Sequence, residues 1–122
     1  MTARAATDGG EFSAPKIAGI NRHETEALRA LIGRGRRRAA ALYLVGVRRY
    51  LDAATGVAGD GAPMRAADLV GRLARCGQGE GVSVLLGHLR QAGLVRPLAA
   101  PKGRLRLFLP LVDRVDTREP AE

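Results

Sequence analysis

The 122 residues suit a single domain with one modest core, and they contain no run of about 18 apolar residues that could cross a bilayer as a helix. One cysteine, Cys76, excludes an intramolecular disulfide and, with no Cys/His cluster around it, a zinc site. The formal net charge is +8, with 18 Arg and 2 Lys, which points to a polyanionic partner.

That charge is unevenly spread. Residues 34–106 hold 14 basic side chains against Asp52, Asp60, Asp68 and Glu80, a net of +10, whereas the two flanks together carry a net of −2. The excess belongs to the expected folded unit and not to a tail. The opening residues, MTARAATDGGEFSAPK, lack the apolar stretch of a signal peptide, and a cytoplasmic, nucleoid-associated location is expected.

Residues 1–20, rich in Ala, Gly, Thr and Ser, read as a flexible arm. A domain over 21–111 follows. Asn21, or alternatively Thr25, can cap a helix over 22–33, with Glu24 and Glu26 near its positive end and Leu28, Leu31 and Ile32 at i, i+3, i+4. The run GRGRRR, Gly33 to Arg38, is the densest charge cluster. Its Arg36, Arg37 and Arg38 oppose the dipole of any helix that starts there, so they either contact phosphates or belong to a helix that begins earlier. A helix over 38–54 is predicted by Ala39, Leu42, Tyr43, Gly46, Val47, Tyr50 and Leu51, with Arg48 and Arg49 projecting elsewhere. Leu44 and Val45 widen its apolar surface beyond one stripe, which suits a central helix or a homodimer contact.

The segment 57–63, VAGDGAP, reads as a loop, Met64 and Arg65 as a very short strand, and 66–76 as a helix with Ala66, Leu69, Val70 and Leu73 on one face. CGQGEG is a glycine-rich turn into a helix over 81–92, where Val82, Leu85, Leu86 and Leu89 form the apolar face and Gly93 closes the C-terminus. A hairpin over 94–109 turns through AAPKG. Its second strand alternates Leu105, Leu107 and Leu109 with Arg104, Arg106 and Phe108. An acidic, frayed tail is expected over 112–122.

A short helix carrying Val82, Ser83, Leu86 and Leu89, closed by Gly93-Leu94-Val95, resembles the recognition helix and first wing strand of winged helix-turn-helix proteins. The phrase RRYLDAATGVAG, Arg48 to Gly59, is similar to a stretch in small DNA-binding proteins of plasmids and integrative elements. The first resemblance implies a mostly helical fold with a small β-hairpin (α+β). It also implies that the helix pair 66–92 acts as a reading head. Ser83, Val84, Gly87, His88, Arg90 and Gln91 would then face the groove, Arg65, Arg72 and Arg75 the phosphate backbone, and Lys102, Arg104 and Arg106 would form a basic wing.

Double-stranded DNA is the expected partner, for a transcriptional regulator or a replication or maintenance factor of a mobile element. The alternative is a winged-helix protein-interaction module using a Val84–Leu85 ridge. Single-stranded RNA binding through GRGRRR is less favoured, because only Tyr43, Tyr50, Phe12 and Phe108 could stack on bases and both tyrosines look buried. His23 and His88 stand far apart without carboxylate or thiol neighbours at ligand spacing. GRGRRR lacks the Gly-Lys-Ser/Thr end of a phosphate-binding loop. No catalytic role, cofactor, metal or membrane contact is expected.

Overall fold

Asn21 sets the first boundary. The computed structural model describes residues 19–75, 78–114, 118 and 120, so nearly all of the expected arm, most of the expected tail and Cys76 lie outside the described residues. Helix α1, Arg22–Gly33, starts on Asn21 in extended conformation. The Asn21 side chain accepts from the Glu24 N–H at 2.9 Å, and the Glu24 carboxylate accepts from the Asn21 N–H at 3.1 Å. This reciprocal box satisfies two otherwise orphaned donors, and Thr25 instead turns its hydroxyl onto the Asn21 carbonyl. Leu28 and Leu31 are buried, but Ile32 stays 48% exposed, so the inward stripe of α1 is narrower than its apolar spacing suggests.

The expected continuous helix over 38–54 is not what forms. Helix α2 is α-helical only over Arg37–Leu42, passes through a π turn at Tyr43–Val47 and a 3₁₀ turn at Arg48–Tyr50, and then gives way to strand β1, Leu51–Asp52. The helix yields because Asp-Ala-Ala-Thr-Gly is itself a strong turn. Asp52 accepts from the Ala54 N–H through its side chain at 3.0 Å and from the Gly56 N–H through its carbonyl at 2.8 Å. The chain then returns as β2, Val57–Ala58, paired antiparallel with β1, so the expected loop over 57–63 loses its first two residues to the sheet. Leu44 packs against the core and only Val45 stays open at 45% exposure.

Strand β3, Met64–Arg65, is the short strand expected there; it leads into helix α3, Ala66–Ala74. Helix α4, Val82–Gln91, is followed by β4, Arg96–Leu98, and β5, Arg104–Phe108. Gly93 takes φ 80°, the left-handed closure expected after α4. The fold is therefore mixed α+β. Its sheet has five strands, β1 and β2 adding to the short strand and hairpin expected, with β5 pairing to β2, β3 and β4.

One core gathers Leu28, Leu31, Leu42, Tyr43, Met64, Leu69, Leu85, Leu89 and Leu107 from all four helices and the inner sheet face. The expected alternation of β5 holds only at its start: Phe108 is 1% exposed, in a second small cluster with Val57 and Leu98 on the outer face. The Arg96 and Arg114 guanidiniums stand 4.9 and 4.8 Å from the Phe108 ring centre.

Between β2 and β3 the chain presses against β5. Gly59 sits at φ 106°, and a Cβ there would lie 2.3 Å from the Leu105 carbonyl oxygen. Gly59→Ala is therefore expected to cost at least about 2 kcal/mol, from the strained φ and the backbone clash together. Urea unfolding should register it as a lowered midpoint at unchanged slope.

Candidate nucleic-acid interface

The register of β3 on β5 sets Arg65 directly opposite Arg104 and Met64 opposite Leu105. Because side chains alternate across a strand, Met64 goes into the core, where it is fully buried, and the two arginines share the outer face, both exposed. Like charges directly opposite in a sheet destabilise it. Neither guanidinium has a carboxylate partner among the described residues. Lys102 stands beside them in the exposed turn, which the Arg104 N–H closes onto the Pro101 carbonyl at 3.0 Å.

Arg106 differs from its neighbours. Its guanidinium meets Asp60 at 2.6 and 3.3 Å and donates to the Ala99 carbonyl at 3.0 Å. The hydrogen bond from Arg106 to Asp60 raises the guanidinium pKa further above the arginine range. Arg106 thus holds the Asp60 loop against the hairpin, with its charge offset.

Arg72 of α3 is half-buried and Arg75, capping its C-terminus, is exposed, both lining a shallow depression with Tyr50 and Asp68. On α4, Ser83, Val84, Gly87, Arg90 and Gln91 border solvent, whereas His88 is half-buried with an Nδ1 that has no hydrogen-bond partner among the described residues. Leu85 is 1% exposed, so the Val84–Leu85 ridge expected on this helix does not exist: Leu85 belongs to the core and Val84 alone faces out.

The GRGRRR run resolves its own electrostatic mismatch within the fold. Arg36 donates to the Gln91 side chain at 3.1 Å, and Arg38 donates to the Glu80 carbonyl at 3.0 Å. These two hydrogen bonds fix the opposite ends of α4 to the start of α2. Arg37, the first residue of α2, remains exposed. The structure therefore separates the candidate residues into an outer sheet group (Arg65, Lys102, Arg104), an α3 pair, the open face of α4, and arginines engaged inside the chain.

Between α1 and α2 lies a constellation the sequence did not reveal. Glu24 is fully buried and Arg48, expected to project outward, is 8% exposed. The Arg48 Nε donates to Glu24 Oε2 at 2.9 Å and its Nη2 to Oε1 at 3.1 Å, while the Tyr43 hydroxyl donates to Oε2. Burial alone would raise the Glu24 pKa, but the hydrogen bonds from Arg48, Tyr43 and the Asn21 N–H, with the Arg48 charge, outweigh it and hold the carboxyl below its usual range. Burial and then the carboxylate push the Tyr43 phenol up, so it stays a neutral donor. Two residues five apart on an α-helix point about 140° away from each other. The i→i+5 closure of the π turn brings Tyr43 and Arg48 to one side, and α-helical spacing cannot show that.

Among the described residues no group of three His, Cys, Asp or Glu could hold a metal ion, and no helix is long and apolar enough to cross a membrane. Comparison with family models, curated proteins and solved structures finds no match, so the functional reading rests on this geometry.

Proposed function

We propose that the chain is a double-stranded DNA-binding protein of winged helix-turn-helix type, acting as a transcriptional regulator or as a replication or maintenance factor of a mobile element. The observation that carries this reading is the cross-strand pairing of Arg65 with Arg104, with no carboxylate partner among the described residues. A sheet that places two guanidiniums opposite each other is relieved by an anion, and a phosphodiester fits the planar fork of an arginine. The element order gives further support. Leaving aside the inserted β1 and β2, a helix (α2), a short strand (β3), two helices (α3, α4) and a hairpin (β4, β5) whose second strand pairs with β3 follow the order that the winged-helix reading expects.

In this reading Arg65, Lys102 and Arg104 grip the backbone with Arg72 and Arg75, while Ser83, Gly87, Arg90 and Gln91 face base edges. Arg106 supports the wing from within. Assembly as a homodimer, expected from surplus apolar surface on α2, keeps Val45 as its support on that helix.

Fluorescence anisotropy of a labelled random duplex, repeated over a salt series, tests the proposal. Binding whose log affinity falls steeply with log salt, at about 0.9 per neutralised phosphate, is the expected result. No binding at low salt rejects it.

A further inference from the structure

Beside α4 runs an open groove of about 660 Å³, bounded by Ala66 and Val70 of α3, Val82, Leu86 and Arg90 of α4, and Pro97 and Leu105 of the sheet. Val70 is 57% exposed, although its helical spacing places it with the buried Leu69 and Leu73. The floor is therefore made of side chains that patterning assigns to a core and that the chain itself does not cover. Duplex reading needs donors and acceptors aimed at base edges, and this floor offers methyl and methylene groups. No carboxylate lines the groove among the described residues. Its one charged wall residue, Arg90, is exposed and has no ion-pair partner among the described residues. The surrounding segment, residues 34–106, carries a net charge of +10.

We propose that this groove docks an acidic amphipathic helix from a partner protein, apolar side chains entering against Val70, Leu86 and Leu105 and a carboxylate meeting Arg90. The groove is open to solvent and its apolar lining comes from α3, α4 and the sheet together, which suits a helix laid between them better than an enclosed small molecule. An acidic segment matches both the wall cation and the field around it, whereas a basic or neutral one matches neither.

Docking and base reading exclude each other, because Ser83, Gly87 and Arg90 border the groove and are also the residues offered to base edges. Arg65 and Arg104, on the outer face of the sheet, stay free to hold phosphate. The partner would thus switch off sequence reading and leave backbone affinity. This last consequence rests on the proposed function; the docking itself does not.

A displayed library of random 16-residue peptides, selected on the full chain with Val70→Asn as counter-target, tests the proposal. The expected hits have apolar residues at i, i+3 or i+4 and i+7 with Asp or Glu elsewhere. Synthesised and labelled, they should bind the native chain and lose about tenfold with Val70→Asn or Arg90→Glu. Val70→Asn leaves the charge unchanged at an already exposed position, so folding and random-duplex affinity should stay within about twofold. No enrichment over the counter-target, hits without this pattern, or equal binding by both variants each overturn the docking. A tenfold loss of duplex affinity in Val70→Asn overturns it too, assigning the groove to DNA. Peptide binding is read without DNA present, so a chain that binds peptide and no duplex fails the DNA proposal alone.

Discussion

Replacing Glu24 by Ala is expected to destabilise the fold by about 3–5 kcal/mol, because it leaves the Arg48 guanidinium buried without its counter-charge and strands the Tyr43 hydroxyl. That is a large fraction of the roughly 5–15 kcal/mol that holds a typical domain together, so thermal or urea unfolding should find a strongly lowered midpoint. Changing both partners, Glu24→Leu with Arg48→Met, should cost less than the single change, since no uncompensated charge is then buried. The pH response follows from the same hydrogen bonds. The Glu24 carboxyl titrates lower folded than unfolded, so its contribution is complete above the unfolded value of about 4.3 and is lost as pH falls through the folded one. A chain whose stability showed no loss on acidification in that window would contradict the buried pair.

The second large effect concerns binding. The triple variant Arg65→Ala, Lys102→Ala, Arg104→Ala should weaken random-duplex affinity at least about tenfold near 0.15 M salt and flatten the log–log salt dependence by about 0.9 for each phosphate no longer neutralised. The weakening should be uniform across sequences, because groups that bind phosphate position the protein without specifying sequence. Arg106→Ala is the informative companion. It removes the cation that Asp60 neutralises and leaves a bare carboxylate beside the wing, so its effect is a displaced Asp60 loop as well as a changed charge. An unchanged salt slope in the triple variant would remove the outer sheet face from the interface.

Much of this architecture was legible in the sequence because it is local. The cap at Asn21, the short strand at Met64–Arg65, α4 and its Gly93 closure all rest on residues within a few positions of each other. What escaped depends on geometry that periodicity assumes away. The 38–54 pattern keeps α-helical spacing on paper, yet the π turn shifts its phase and carries Arg48 inward to Glu24. The pairing of Arg65 with Arg104 required the register of β3 on β5, set by segments nearly forty residues apart. Val70 reads as core by spacing alone; its exposure depends on how far α3 and α4 stand from the hairpin. The candidate site was thus visible as a set of residue types, and its division among the outer sheet face, α3, the open face of α4 and internally bonded arginines was not.

The hydrogen bonds from Arg36 to Gln91 and from Arg38 to the Glu80 carbonyl have a mechanical meaning. Helix α4 is pinned at both ends to one turn of α2, so it cannot roll about its own axis without releasing one pin. A polyanion drawn to the basic run would compete for the same N–H groups that hold the pins. The guanidiniums that carry the charge of this run are therefore also groups that hold α4 in its place.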